Sequence, residues 1–187
     1  MFPKRKVLFD IETTGFANTD RIIEIGAIRT VDGQITGELS LLVNPYICIP
    51  AKIKTLTGIT DEAAGKGIDE KQAIAIFLAF VGSETLVAHN AAFDTRFLKR
   101  ILPIPNKTID SLEVLRKYVP GLKSYSLQNL AKQYGIEPGG HRALDDAKCL
   151  NQIINTITHA DLAKKRMELV RMGVAGCQET GTKQEDL

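Results

Sequence analysis

Three separated segments of this chain carry acids that a core would not choose, and one adds a titratable histidine. Asp10 and Glu12 close the apolar run that begins at Lys6. Residues two apart on a strand share a face, so Leu8, Asp10 and Glu12 line one side and Val7, Phe9 and Ile11 the other. Two neighbouring acids repel unless a cation or a proton intervenes; alone, such a pair also suits a solvent-facing strand end. Asp94 closes HNAAFD and, on a helix, has Phe97, Leu98 and Ile101 at three, four and seven positions on. An unpaired buried carboxylate there wants a metal, a proton or a partner, although the helix dipole alone would favour an acid in a first turn. Within HRALDD, Asp146 has Leu150 and Ile153 at plus four and plus seven, whereas Asp145 has Lys148, Cys149 and Gln152. Helix geometry therefore turns Asp146 inward and Asp145 outward. His141 lies five residues before Asp146, about 140° round a helix. It shares the site only from the preceding loop, where Gly139-Gly140 supplies freedom for the ring to swing in. By itself it would be a cap or surface histidine.

Together the segments say more than each alone. Carboxylate ligands without a thiolate cluster suit hard divalent cations, magnesium or manganese, rather than zinc. Such clusters serve two-metal phosphoryl chemistry, and a nearby imidazole is fitted to move a proton near neutral pH.

The elements that position these groups begin with strands. Residues 6–12 read as a strand ending at Thr13-Thr14-Gly15, and residues 21–31 as a β-branched strand closing on the hairpin signal Asp32-Gly33. Residues 34–44 are its partner, 56–59 a loop, and Thr60-Asp61 the cap of a short helix. Residues 69–81 read as a mostly buried helix, 85–88 as a strand and 91–102 as a helix stopped by Pro103. Residues 108–110 read as a short strand feeding a helix from Ser111, and Ser126 caps a helix to Tyr134. A long helix over 143–159 follows, then an amphipathic charged continuation over 161–172 and a polar tail. Strands first, then strands interleaved with helices, mean an α/β sheet that is partly antiparallel. No linker divides residues 1–160; residues 161–187 form a charged helical appendage.

Composition narrows the partners little. Lys and Arg number 24 against 22 Asp and Glu, a net of +2, too balanced to demand a nucleic acid or an anionic membrane by itself. The longest apolar run, residues 73–81, is far shorter than a membrane span, and the first residues lack the pattern of a signal peptide. Three scattered cysteines, Cys48, Cys149 and Cys177, offer neither a disulfide framework nor a zinc pair. The expected compartment is the cytoplasm, with no membrane partner.

FDIETTG, HNAAFD and HRALDDA, in that order, resemble the three motifs of the DEDD exonucleases, in the subgroup with a histidine. That group includes the proofreading epsilon subunit of bacterial DNA polymerase III and its stand-alone relatives. RIIEIGAI, LTGIT and SLQNLAKQYGI are similar to its intervening segments, so the resemblance covers roughly residues 5 to 158. It implies a ribonuclease H-like α/β fold, with a five-stranded mixed sheet, its second strand antiparallel, and helices on both faces. It further implies that Asp10, Glu12, Asp94 and Asp146 hold two divalent cations, Mg²⁺ or Mn²⁺, and that His141 is the general base. Thr13, Thr14 and Gly15 then match the turn at the terminal nucleotide, Leu56 and Thr57 the loop against its base, and Asn90 and Phe93 the strand path. Thr57 stands where the epsilon subunit often has histidine, a departure at the position that holds the last base.

The activity so implied is stepwise 3′–5′ hydrolysis of single-stranded nucleic acid, DNA ahead of RNA, releasing nucleoside 5′-monophosphates. A polymerase partner is a further implication. Two rivals share parts of the pattern: an exoribonuclease of the same fold trimming RNA 3′ ends, and a non-catalytic nucleic-acid-binding module.

Overall fold

The computed structural model describes the backbone of residues 2–171 and the side chains of residues 2–158 and 160. The polar tail expected after residue 172 lies outside the described residues. Two compact units divide the chain, Met1–Ile154 and Asn155–Leu187.

The first unit holds a five-stranded sheet in the order β3-β2-β1-β4-β5. Its strands are β1 (Arg5–Thr13), β2 (Ile22–Val31), β3 (Gln34–Leu42), β4 (Leu86–Ala88) and β5 (Thr108–Asp110). β1 lies at the centre, antiparallel to β2 and parallel to β4, and β2 and β3 form a hairpin. Asp32 and Gly33 both take positive φ, 49° and 82°, the twist-matched geometry of a two-residue hairpin turn. β1 and β2 are buried along nearly their whole length, while the edge strand β3 keeps much of its surface in water.

Val7, Phe9 and Ile11 of β1 and Ile25 and Ala27 of β2 enter one core with α3 (Glu70–Val81) and α4 (Ala91–Ile101). Phe9 and Phe77 meet there with ring centroids 5.2 Å apart. α3 begins where the Asp69 carboxylate accepts from the backbone N–H groups of Lys71 and Gln72, and Asp110 caps α5 (Ser111–Tyr118) through Leu112. The opposite face of β2 carries the first turns of the last helix, α7 (Ala143–Arg171). Contact there is so close that a Cβ on Gly26 would stand 2.0 Å from the Leu144 nitrogen. Helices thus cover both faces of a five-stranded mixed sheet.

Two boundaries differ from the expectations. α1 spans Ala51–Thr57 and takes in part of the expected loop at 56–59. Pro50 occupies its N-cap, and Gly58, at φ 70°, ends it; with no side-chain cap and only seven residues, it offers little periodicity to read. The helix expected over 143–159 and its charged continuation over 161–172 run without a break at residue 160, as one helix to Arg171. α2 (Asp61–Gly65), α6 (Leu127–Gln133) and the capping residues Thr60 and Ser126 fall where the chain signals them.

Candidate active site

The site forms because β1 outruns its parallel neighbour. β1 and β4 pair only at Val7 and Leu8, so the far half of β1 presents an open edge. β4 ends at Ala88, and the chain turns through Asn90 at φ 72° into α4. Asp110 at the end of β5 holds that turn by accepting from the Asn90 N–H at 3.0 Å. The first turn of α4 then brings Asp94 to the open edge, where its Oδ1 accepts from the Ile11 N–H at 3.2 Å. A crevice at the carboxyl ends of parallel strands is where open α/β sheets place their ligands.

The second wall is the start of α7. Glu24, paired with Glu12 across the β1–β2 ladder, is 1 % exposed. It takes Arg142 Nη2 on Oε1 at 2.6 Å, and on Oε2 both Arg142 Nε at 3.1 Å and the Ala143 N–H at 2.9 Å. This ties the N-terminus of α7 to the sheet and leaves Asp146 facing in, buried, with Asp145 exposed. Gly139 is needed for fit more than for the freedom read into it: a Cβ there would stand 2.3 Å from Asp146 Oδ1. His141, at φ 60°, already turns inward. Ligand atoms of Glu12, His141 and Asp146 lie within 4.8 Å of one another.

Burial and crowding make these acids hard to ionise. Burial first, then the charges of Asp94, Glu12, Asp146 and Glu24, hold Asp10 well above the usual carboxylate range. Glu12 is pushed up to about 8, chiefly by burial and next by Asp146. Burial and then Asp145 raise Asp146 to about 6. Asp94 rises mainly through burial, although hydrogen bonds to its carboxylate, Ile11's included, pull the other way. Asp146 Oδ1 is buried without a hydrogen-bond partner among the described residues. Four acids that repel one another, an orphaned carboxylate oxygen and no thiolate fit hard divalent cations.

The cleft above these groups is about 560 Å³, and Asp10, Glu12, His141 and Asp146 line it together with Thr13, Gly15, Leu56, Asn90 and Phe93. Two expected substrate contacts lie elsewhere. Thr14 is buried, its hydroxyl donating to Asp20 Oδ1 and accepting from the Arg21 N–H; it shapes the turn rather than facing the cleft. Thr57 is also buried, its hydroxyl donating to the Ile53 carbonyl and accepting from the Ile59 N–H. Ile53, one helical turn earlier, lines the cleft in its place.

Beyond the residues expected there, His89, Phe16 and Gln128 line the cleft, and Glu24 and Arg142 brace its second wall. His89 is committed: Nε2 at 2.7 Å must donate to the Tyr125 carbonyl, so Nδ1 accepts from Ser111 Oγ at 3.0 Å. Burial lowers its pKa and favours the neutral ring, whereas His141 Nε2 stands 3.4 Å from Gln128 Nε2. Arg96 and Arg100 clamp the loop after β1 through the carbonyls of Phe16, Asn18 and Asp20. The basic start of β1 is at the far end of the strand, where Arg5 pairs with Glu84 and Lys6 is buried.

The exonuclease family profile, RNase_T, matches residues 7–154. The chain belongs to the exonuclease family. Members of this family are divalent-metal enzymes, in keeping with the carboxylate cluster. Among similar proteins is a PolC-type DNA polymerase III of Clostridium perfringens, 41% identical over 160 residues, 82% of this chain but 11% of that protein. The chain thus spans about a tenth of the PolC-type relatives it matches. The DNA polymerase III subunit epsilon of Aquifex aeolicus is 36% identical over 155 residues, 79% of this chain and 77% of its own. Among solved structures, exonuclease X in complex with 5′ overhanging duplex DNA superimposes with a TM-score of 0.67 at 30% identity, covering 82% of this chain and 91% of that one. Exonuclease I shares the fold at a TM-score of 0.71. No helix among the described residues is long and apolar enough to cross a membrane.

Proposed function

We propose that this exonuclease-family chain hydrolyses the 3′-terminal phosphodiester of single-stranded DNA in the 3′–5′ direction, releasing nucleoside 5′-monophosphates with two Mg²⁺ or Mn²⁺ ions as cofactors. The observation that carries the reading is the orphaned Asp146 Oδ1 beside Glu12 and His141 on the floor of an open cleft. Asp10, Glu12, Asp94 and Asp146 would hold the cations, which when bound activate the attacking water and stabilise the leaving 3′ oxygen. His141 takes the proton that the water sheds as its oxygen bonds to phosphorus and the bond from phosphorus to the 3′ oxygen breaks. Thr13 and Gly15 border the terminal nucleotide, with Thr14 fixing their turn. Leu56, 42% exposed, meets the base with Thr57 supporting it from below, and Asn90 and Phe93 line the entering strand.

The exonuclease X structure, in complex with DNA, supports DNA over RNA, and the epsilon-type relative supports a polymerase as partner; a cytoplasmic place of work is part of the same reading. The end of the family match at residue 154 supports a catalytic part within residues 1–160, with 161–187 outside it. Side-by-side digestion of 3′-labelled DNA and RNA single strands, with magnesium, with manganese and with excess chelator, tests the reading. The expected result is labelled mononucleotide released from DNA first, and none in chelator. Faster release from RNA would make the chain an RNA-trimming enzyme. Internal fragments, or undiminished activity in chelator, would overturn the assignment.

A further inference from the structure

The cleft over the carboxylates does not end there. It shares His89, Asn90 and Ser126 with a second groove, which shares Lys123 and Ser124 with a third of about 630 Å³. Among the described residues, the charged side chains lining these two grooves are Arg116, Lys123 and Lys132, and no carboxylate joins them. All three are exposed, and none forms an ion pair among the described residues. On a chain whose charges nearly cancel, an acid-free groove with three unpaired cations, continuous with an acidic site, is a marked asymmetry.

The groove is also braced. Arg116 lies over the Tyr125 ring, 5.8 Å from its centroid. The Tyr125 hydroxyl donates to the Val119 carbonyl at 2.6 Å, and its backbone carbonyl is the one that receives His89 Nε2. The residue that carries the first cation of the lane is therefore tied to a side chain of the catalytic cleft. Cations facing water along one path suit a string of negative charges better than a single anion.

We propose that this lane, over Arg116, Lys123 and Lys132, holds the upstream phosphates of the DNA strand whose 3′ end lies at the carboxylates. The proposal rests on the exonuclease reading above and adds where the rest of the strand runs. A dinucleotide's one internal phosphate is the scissile one at the carboxylates, so it offers the lane nothing; a strand of about twelve nucleotides carries the upstream phosphates the lane would hold. Each neutralised phosphate contributes roughly 0.7 to the log–log salt slope for a single strand, so three contacts contribute about 2.

The test compares wild type, the triple variant Arg116→Glu, Lys123→Glu, Lys132→Glu, the three single alanine variants, and Lys71→Glu as a control on the exposed face of α3. Each is assayed on the dinucleotide and on the longer strand over a salt series. The triple variant should raise KM for the long strand by on the order of tenfold or more at low salt and flatten its salt slope by about 2. Both constants for the dinucleotide should hold, and Lys71→Glu should match wild type. Equal effects on both substrates, or none on the long strand, would overturn the lane. Should the triple variant lose dinucleotide turnover through misfolding, the alanine variants decide, each expected to raise the long-strand KM about two- to threefold. If wild type cleaves neither substrate, it is the exonuclease reading that fails; fluorescence anisotropy of the same long strand in chelator then tests the lane by itself, and equal affinity of wild type and variants would overturn it.

Discussion

Glu24 and Arg142, 118 residues apart in sequence, meet in a two-pronged ion pair, with Nη2 to Oε1 at 2.6 Å and Nε to Oε2 at 3.1 Å. The pair stands one residue from His141 and one helical turn from Asp146, and directly across the ladder from Glu12. It sets the height of α7 over the sheet, and with it the spacing of three site residues. Arg142→Ala would leave a buried carboxylate with only the Ala143 N–H, at a cost of about 1–3 kcal/mol. The expected outcome is a lower Tm and a fall in kcat larger than any change in KM for a dinucleotide. Glu24→Gln keeps an acceptor for Ala143 and should lose less. Wild-type kcat in Arg142→Ala would reduce the pair to a surface contact.

Asp145 and Asp146 offer a sharper contrast. The first is exposed and the second 5 % exposed, although they are neighbours of the same charge. Asp146→Ala should abolish turnover, whereas Asp145→Ala should keep most of it. Equal losses in a single-turnover assay would sink the argument from helix faces.

Much of this site is legible in the chain because its acids lie on apolar periodicities, where a charge stands out. Asp10 and Glu12 follow from the two-residue repeat of β1, Asp94 from the stripe of α4, and Asp146 from that of α7. What supports them is less visible. Glu24 sits in the run from Ile22 to Ile28, where strand alternation explains its position but nothing local names Arg142 as its partner. Thr57 and Thr14 fit motif positions, yet their hydroxyls are consumed by nearby backbone groups and, for Thr14, by the Asp20 carboxylate, a local competition that residue type alone does not reveal. Gly139 looks like a hinge in sequence and proves to be a close-packing position, because the group it must clear is brought there by the docking of α7. His89 lies inside a motif, but only the Tyr125 carbonyl shows that its ring is already occupied.

The raised acids predict an unusual dependence of stability on pH. Glu12 titrates at about 8 and Asp146 at about 6, against ordinary values of 4.5 and 3.8. Between those limits the folded chain binds more protons than the unfolded one, so this contribution is complete below about pH 4 and is lost as pH rises through 6 and 8. In chelator, Tm of wild type should fall across that window relative to an Asp146→Asn, Glu12→Gln variant. Cations replace the protons, so added Mn²⁺ should raise the wild-type Tm more near pH 8 than near pH 5. A wild-type Tm that climbs with pH relative to the variant would mean the acids are already ionised and otherwise compensated.

His141 carries the last prediction. It lies within reach of Glu12 and Asp146, on a left-handed backbone position just before α7, with its Nε2 3.4 Å from the Gln128 amide. His89, the other histidine among the described residues lining the cleft, has both nitrogens engaged, which leaves His141 as the base of the proposed reaction. His141→Ala should lower kcat by roughly 10²–10⁴-fold, the usual worth of a positioned base. Dinucleotide affinity should change little, because the carboxylates remain. His141→Gln, which preserves a polar group but not a base, should behave as the alanine does. Full activity in His141→Gln would make the side chain a hydrogen-bonding contact to phosphate and assign the proton to another acceptor.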